Sequence, residues 1–347
     1  MHMADALLSP AVGGAMWAAS AGTIAYCSGK LGKELDDRKV PLMGVLGAFL
    51  FAAQMINFAI PGTGSSGHLS GGLLLTILLG PSAAFLTISS VLVVQALFFA
   101  DGGLLALGCN IFNMGFIPAF IVFPFIYRKL IGRQPSQSRL TAVTMISAII
   151  GLQLGPFAVV LETLSSGMSS LPFSTFALLI QPIHLAIGLV EGLITVAVVS
   201  FVRSARPEIL QGAAEPHRTA KRPMTNVVLA FLACAVITAG VLSSFASTNP
   251  DGLEWAIAKV TGKAELKSVE QGVHGALAGI QGKSAWLPEY NFRRPAQAIA
   301  AVKPGITPQD NEVGIGTSVA GLIGTFLTLL LAFLIGLLLK KRHLRPD

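Results

Sequence analysis

Apolar residues in this chain do not keep to one face of a helix or alternate along a strand. They gather in runs close to twenty residues long, separated by short polar connectors. About twenty apolar residues is the length a helix needs to cross the hydrocarbon core of a bilayer. The runs predict membrane-spanning helices over about 10–27, 41–60, 69–79, 82–99, 108–129, 140–161, 177–202, 226–245 and 313–339. The fold class that follows is all-α, a polytopic helical membrane protein of about nine transmembrane helices. The third run has only about eleven residues and must tilt or sit deep among its neighbours.

Breakers divide the runs. Pro61-Gly62 stops the second, because proline cannot continue a helix, and Gly80-Pro81 ends the third. In the first run Gly14, Ala18 and Gly22 stand four apart, a smooth stripe that a helix of this chain or of another protein can approach closely. Composition changes from Arg203 to Pro223, where Arg203, Arg206, Arg218, Lys221 and Arg222 accompany Pro207, Pro216 and Pro223. This reads as a basic linker, 204–225, between a membrane domain of about seven helices, 1–203, and a second domain, 226–347. In the second domain two helices flank a polar segment, 246–312, too small to stand as a core of its own.

Charge sets the orientation. With the amino end outside, the loops 30–40, 128–139, 203–223 and the carboxyl tail lie inside, carrying four, four, five and four Lys or Arg. The short outside loops carry none, and the other basic residues fall in 246–312, too long for the positive-inside bias to act on. The carboxyl end is then cytoplasmic.

Of the 347 residues 53% are apolar and 12% charged, and mean hydropathy is +0.70. Soluble chains carry about twice that charge fraction. The net charge of +7 is spread over connectors and gives no nucleic-acid surface. Cys27, Cys109 and Cys234 lie far apart in or beside apolar runs, with no disulfide framework and no CxxC pair. No Lys or Arg precedes Lys30, so a secretory signal is not expected. His2 is too large to favour methionine removal, so the amine of Met1 is expected to survive.

That amine matters for the candidate chemistry. A free α-amine, the backbone amide of His2 and its imidazole can close adjacent chelate rings on one metal ion. The set suits Ni²⁺ or Cu²⁺, and less strictly Co²⁺. A fourth nitrogen is needed, and His68, in the glycine-rich stretch from Gly62 to Gly72, is the candidate. This stretch spells G-x-G-x-x-G, but it follows a membrane helix and not a strand of a βαβ unit, so it is no dinucleotide fingerprint. The predicted topology puts Met1, His2 and His68 on one outer face. Asp5 is a candidate to orient an imidazole or to cap the first helix. In the seventh run Gln181, His184 and Glu191 fall roughly on one side of a helix. A carboxylate at membrane depth is a functional candidate, with structural hydrogen bonds between Glu191 and His184 or to neighbouring helices as the plainer role.

Met1-His2, Gly67-His68, Leu78-Leu79-Gly80-Pro81, the stretch from Gln95 to Gly103 and that from Pro182 to Gly188 together resemble the substrate-capture component of nickel/cobalt energy-coupling-factor transporters, the CbiM/NikM type. Asn249 to Ala256 resembles the PDGLE segment of the small NikN-type accessory subunit, so the chain looks like a fusion of the two. The resemblance implies a non-enzymatic, multi-pass subunit of a bacterial or archaeal cell membrane. It further implies ATP-driven import with a transmembrane coupling subunit and cytoplasmic ATPase subunits, and Ni²⁺ or Co²⁺ as cargo with no resident cofactor. The PDGLE-like segment favours nickel. The family's metal ligands fall on Met1, His2 and His68. Met3-Ala4-Asp5-Ala6 departs from the family by lacking a glycine after the acidic residue.

The chain has no P-loop. Gly282-Lys283-Ser284 is a fragment, with Leu277 where the first glycine is needed. Two other functions stay open at this stage. One is a proton-coupled secondary metal transporter using Glu191 as relay. The other is a rhomboid-like intramembrane serine protease built on Ser66 and His184.

Overall fold

A computed structural model describes residues 2–34, 39–169, 171–214, 225–263, 266, 271–293 and 310–343. Met1, residues 215–224 of the predicted linker and residues 294–309 of the predicted polar segment lie outside the described residues. The helices in chain order are α1 (Pro10–Glu34), α2 (Lys39–Gln54), α3 (Gly72–Leu79), α4 (Pro81–Phe99), α5 (Leu107–Ile131), α6 (Gln137–Ser166), α7 (Phe173–Ala205), α8 (Pro207–Ala214), α9 (Thr225–Gly240), α10 (Gly252–Thr261), α11 (Gly272–Ser284) and α12 (Asp310–His343). Each predicted run meets a helix. Among the described residues, α4, α5, α6, α7 and the 315–340 stretch of α12 are long and apolar enough to cross a bilayer, and α2 and α9 are shorter apolar helices. The first half of the predicted linker is the helix α8.

Two boundaries differ from the sequence reading, for one reason. The second run was predicted to about residue 60, but α2 ends at Gln54, and β1 (Phe58–Ile60) pairs antiparallel with β2 (Ser65–Gly67). The third run shrinks to α3, whose eight residues span about 12 Å, less than half of a hydrocarbon core. Apolar composition at 55–60 reflects burial of a hairpin, not helix.

The extended chain from Ser65 to Gly71 leads into α3 through the interior of the bundle. Backbone polar groups at such depth need partners, since lipid supplies none. Glu191, on α7, accepts from Ser70 N (2.7 Å) and Gly71 N (3.2 Å). Gln54 donates to Ser70 O (2.9 Å), and Gln95 on α4 donates to Gln54 Oε1 (2.9 Å). All three side chains come from helices around the segment, which is therefore built in.

One apolar core joins the two halves of the sequence. Leu46, Leu50 and Phe51 of α2 share it with Phe85 and Val91 of α4, Phe231 and Ala235 of α9, and Ala320 of α12. The stripe on α1 is used by none of these helices. Gly14, Ala18 and Gly22 are exposed, and among the described residues nothing lies within 4 Å of where a Cβ would stand on Gly14 or Gly22. The packed face of α1 is the other one, where Ser20 Oγ donates to Gly108 O (2.7 Å) and Trp17 Nε1 to Leu104 O (2.9 Å).

Candidate metal site

Residues 2–8 form no strand or long helix, so their backbone groups must find partners singly as they enter the protein. Met3 N donates to Asn110 Oδ1 (2.9 Å), and Gly103 N donates to Met3 O (2.9 Å). Met3, Leu7 and Leu8 are buried with Cys109, Phe176, Ile180 and Leu253 in a second apolar cluster. The amino-terminal segment is thereby drawn inward without the glycine the sequence lacks after Asp5. The glycine that matters is across the gap: a Cβ on Gly103 would overlap the Asp5 carboxylate.

Among the described residues no hydrogen bond joins Asp5 to an imidazole or to the start of α1. Asp5 Oδ1 accepts from Ala106 N (2.9 Å), and Ser9 Oγ accepts from Val12 N at the start of α1 (3.4 Å). The carboxylate on an imidazole is Asp101, with Oδ1 at 3.1 Å from His2 Nδ1. Burial alone raises the pKa of this carboxyl, but the His2 imidazole and the Tyr290 hydroxyl outweigh it and hold Asp101 well below the usual carboxylate range. Asp101 lies in the Gln95–Gly103 stretch that carries the resemblance, but nothing local in the sequence pairs it with His2.

The His2 and His68 rings stack, with centroids 5.2 Å apart and planes 11° from parallel. His2 Nε2 is buried and has no hydrogen-bond partner among the described residues. His68 Nδ1 lies 3.0 Å from Leu69 O, so Nδ1 carries the proton and Nε2 the lone pair, the form in which a neutral imidazole binds metal. Two stacked imidazoles at the end of the amino-terminal segment are what a captured cation would exploit. The chelate read from the sequence uses His2 Nδ1, which here faces Asp101, so the ring must turn about Cβ–Cγ to offer Nδ1 to an ion beside the amide.

The PDGLE-like segment lies over this site. Ser66 N donates to Pro250 O (2.8 Å), Ser66 Oγ to Asn249 O (2.8 Å), Ser247 N to Asn57 O (2.7 Å) and Trp255 Nε1 to Thr63 O (2.9 Å). Asp251 caps α10, accepting from Leu253 N and Glu254 N, while Glu254 accepts from Asp251 N in a capping box. His68, His184, Asp251 and Gly252 line one small cavity beneath it. A Cβ on Gly252 would stand 2.6 Å from Ile183 Cγ2 and 3.1 Å from His184 Cε1, so this close approach requires glycine.

His184, Gln181 and Glu191 each take structural hydrogen bonds, His184 and Glu191 to backbone groups and not to each other. His184 Nδ1 meets Ile180 O (2.8 Å), Gln181 exchanges hydrogen bonds with Gln153, and Glu191 holds Ser70 and Gly71. They do not act as one row. Ser66 Oγ is spent on carbonyls and His184 Nδ1 on another, so the pair forms no nucleophile–base hydrogen bond. Sequence reasoning missed Asn110 and Tyr290, polar residues whose partners, Met3 and Asp101, lie far along the chain.

Comparison with known proteins gives these features a family. Residues 2–209 match the CbiM family model, described as cobalt uptake substrate-specific transmembrane region, and residues 225–341 match the PDGLE domain. The "Putative fused nickel transport protein NikMN" of Archaeoglobus fulgidus is 32% identical over 343 residues, covering 96% of this chain and 97% of the relative. The fused nickel transport protein NikMN of Rhodobacter capsulatus is 28% identical, covering 83% and 86%. The cobalt transport protein CbiM of Geobacter sulfurreducens is 30% identical, covering 60% and 61%. A solved structure of a transition metal transporter is 31% identical with a TM-score of 0.52, covering 63% of this chain and all of that one. The chain is a multi-pass helical membrane protein of the CbiM family of cobalt uptake substrate-specific transmembrane regions, continued in the same polypeptide by a PDGLE domain.

Proposed function

We propose that this chain is the substrate-binding subunit of an ATP-driven energy-coupling-factor importer for a divalent transition metal, nickel in preference to cobalt. The observation that carries the reading is the stacked pair His2 and His68, brought together beneath the PDGLE segment. The metal is held by the amine of Met1, the amide and imidazole of His2, and His68. Four nitrogens in one plane suit Ni²⁺ better than Co²⁺, and the relatives named for nickel are those fused as this chain is.

The protein binds and releases and does no covalent chemistry. Gly282-Lys283-Ser284 ends the helix α11 and forms no phosphate loop, so the energy comes from partner ATPases. The open small-residue face of α1 is where a helix of the coupling subunit can approach closely. The amino end and His68 face outward, and release is inward. Glu191 spends both oxygens on backbone N–H groups, which supports a structural role over a proton relay.

The test is Ni²⁺ and Co²⁺ binding by the purified chain and its His2→Ala and His68→Ala variants, paired with metal uptake in vesicles that contain the partner subunits. The reading expects tight Ni²⁺ binding lost in both variants, and uptake that stops without ATP. Uptake driven by a proton gradient alone contradicts it.

A further inference from the structure

Tyr290 lies between α11 and α12, far along the chain from the amino end. Its hydroxyl donates to Asp101 Oδ2, and the other oxygen of that carboxylate faces His2 Nδ1 at 3.1 Å. A carboxylate held at one oxygen only can swing about its Cβ–Cγ bond; held at both, it has one orientation.

The phenol itself is fixed. Its ring stacks on Phe99, with centroids 5.0 Å apart and planes 18° from parallel, and sits edge-on to Phe51 at 6.2 Å. Phe51 and Phe99 are fully buried. The same part of the PDGLE domain grips the backbone around Asp101. Leu287 N donates to Phe98 O (3.3 Å), and Gln281 Nε2 donates to Ala96 O (2.9 Å) and Gly102 O (2.7 Å). Burial of this aromatic group on the CbiM part would need no hydroxyl, and phenylalanine would pack as well. The hydroxyl donates to Asp101, with the Gln95 amide also within hydrogen-bonding reach.

We propose that Tyr290 is a positioning residue for the metal site, fixing the rotation of the Asp101 carboxylate, which in turn sets the plane of the His2 imidazole in its metal-binding form: the half-turn about Cβ–Cγ that offers Nδ1 to an ion exchanges the two edges of the ring and brings Nε2–H round to the side of the same carboxylate. The inference rests on the reading of His2 as a metal ligand. It gives the PDGLE domain a single-atom hold on the capture site of the other domain. Partners one step removed from a metal commonly set its affinity tenfold to a hundredfold by orienting the ligand.

The experiment uses the full chain with its native amino terminus, and compares the parent with Tyr290→Phe, Asp101→Asn, the double variant and His2→Ala. Ni²⁺ affinity is read by calorimetry, the ligand-field absorption of the bound ion by spectroscopy, and folding by thermal unfolding. Tyr290→Phe keeps the ring and its stacking. We expect it to unfold at the parent's temperature, to bind Ni²⁺ about tenfold more weakly and to shift the absorption band. In the Asp101→Asn background it adds nothing, because both act through one carboxylate. Tyr290→Phe with parent affinity and an unchanged band overturns the proposal, as does an effect that multiplies with that of Asp101→Asn. If His2→Ala binds like the parent, the ligand reading falls and this one with it. If His2→Ala loses binding and Tyr290→Phe does not, only the role of Tyr290 falls.

Discussion

The imidazoles of His2 and His68 lie face to face, 5.2 Å between centroids, although the whole of α1 and α2 separates them in the chain. Neither ring needs the other for packing alone, since each is also held by a neighbouring oxygen, Asp101 Oδ1 for His2 and Leu69 O for His68. If both are ligands, His2→Ala and His68→Ala each lower Ni²⁺ affinity by about a hundredfold or more, the loss of a direct ligand exceeding that of an orienting partner. Calorimetry on the folded variants checks this. Retention of tight binding in either variant removes that histidine from the site.

Metal affinity should fall steeply with acid. An amine and an amide must each lose a proton to bind, and the ordinary α-amino pKa is about 8. Below that value each released proton weakens apparent affinity about tenfold per pH unit, so two make the slope about a hundredfold. Titrations between pH 8 and pH 6 read the slope directly. A flat profile means that neither nitrogen deprotonates on binding.

Glu191 is predicted to act through the backbone it holds. Glu191→Leu leaves Ser70 N and Gly71 N buried without acceptors, at about 1–3 kcal/mol each. Glu191→Gln keeps one acceptor oxygen and should lie between the parent and Glu191→Leu in thermal stability in detergent. A Glu191→Gln protein as stable as the parent that binds metal yet does not transport it would point back to a proton relay.

Ser66→Ala removes the bond to Asn249 O and leaves Ser66 N on Pro250 O intact. Metal binding should stay within a few-fold of the parent, since a neutral hydrogen bond contributes about 1 kcal/mol. Proteolysis of a membrane substrate that vanishes in this variant would restore the serine–histidine reading.

Hydropathy revealed most of the bundle because lipid-facing and interior positions of a spanning helix are both apolar, so its length alone marks it. It failed at 55–71. There half a crossing is made of extended backbone whose polar groups are met by Glu191 and Gln54, side chains no local pattern connects to it. The site divided in the same way. His2 and His68 were legible because chelate chemistry and a glycine-rich loop mark them locally. Asp101, Asn110 and Tyr290 matter only through contacts with distant segments, and Asp5, legible as an acid beside the site, is spent on Ala106 N. The small-residue stripe of α1 was seen in the sequence, and the fold leaves it open.

The most direct measurement is Ni²⁺ binding to the chain with its native amino terminus against a version carrying one residue added before Met1. The extension turns the amine into an amide and leaves every side chain in place. The account predicts that tight binding is lost in the extended chain while its unfolding temperature is unchanged. Equal affinity in the two would contradict the four-nitrogen site at its first ligand.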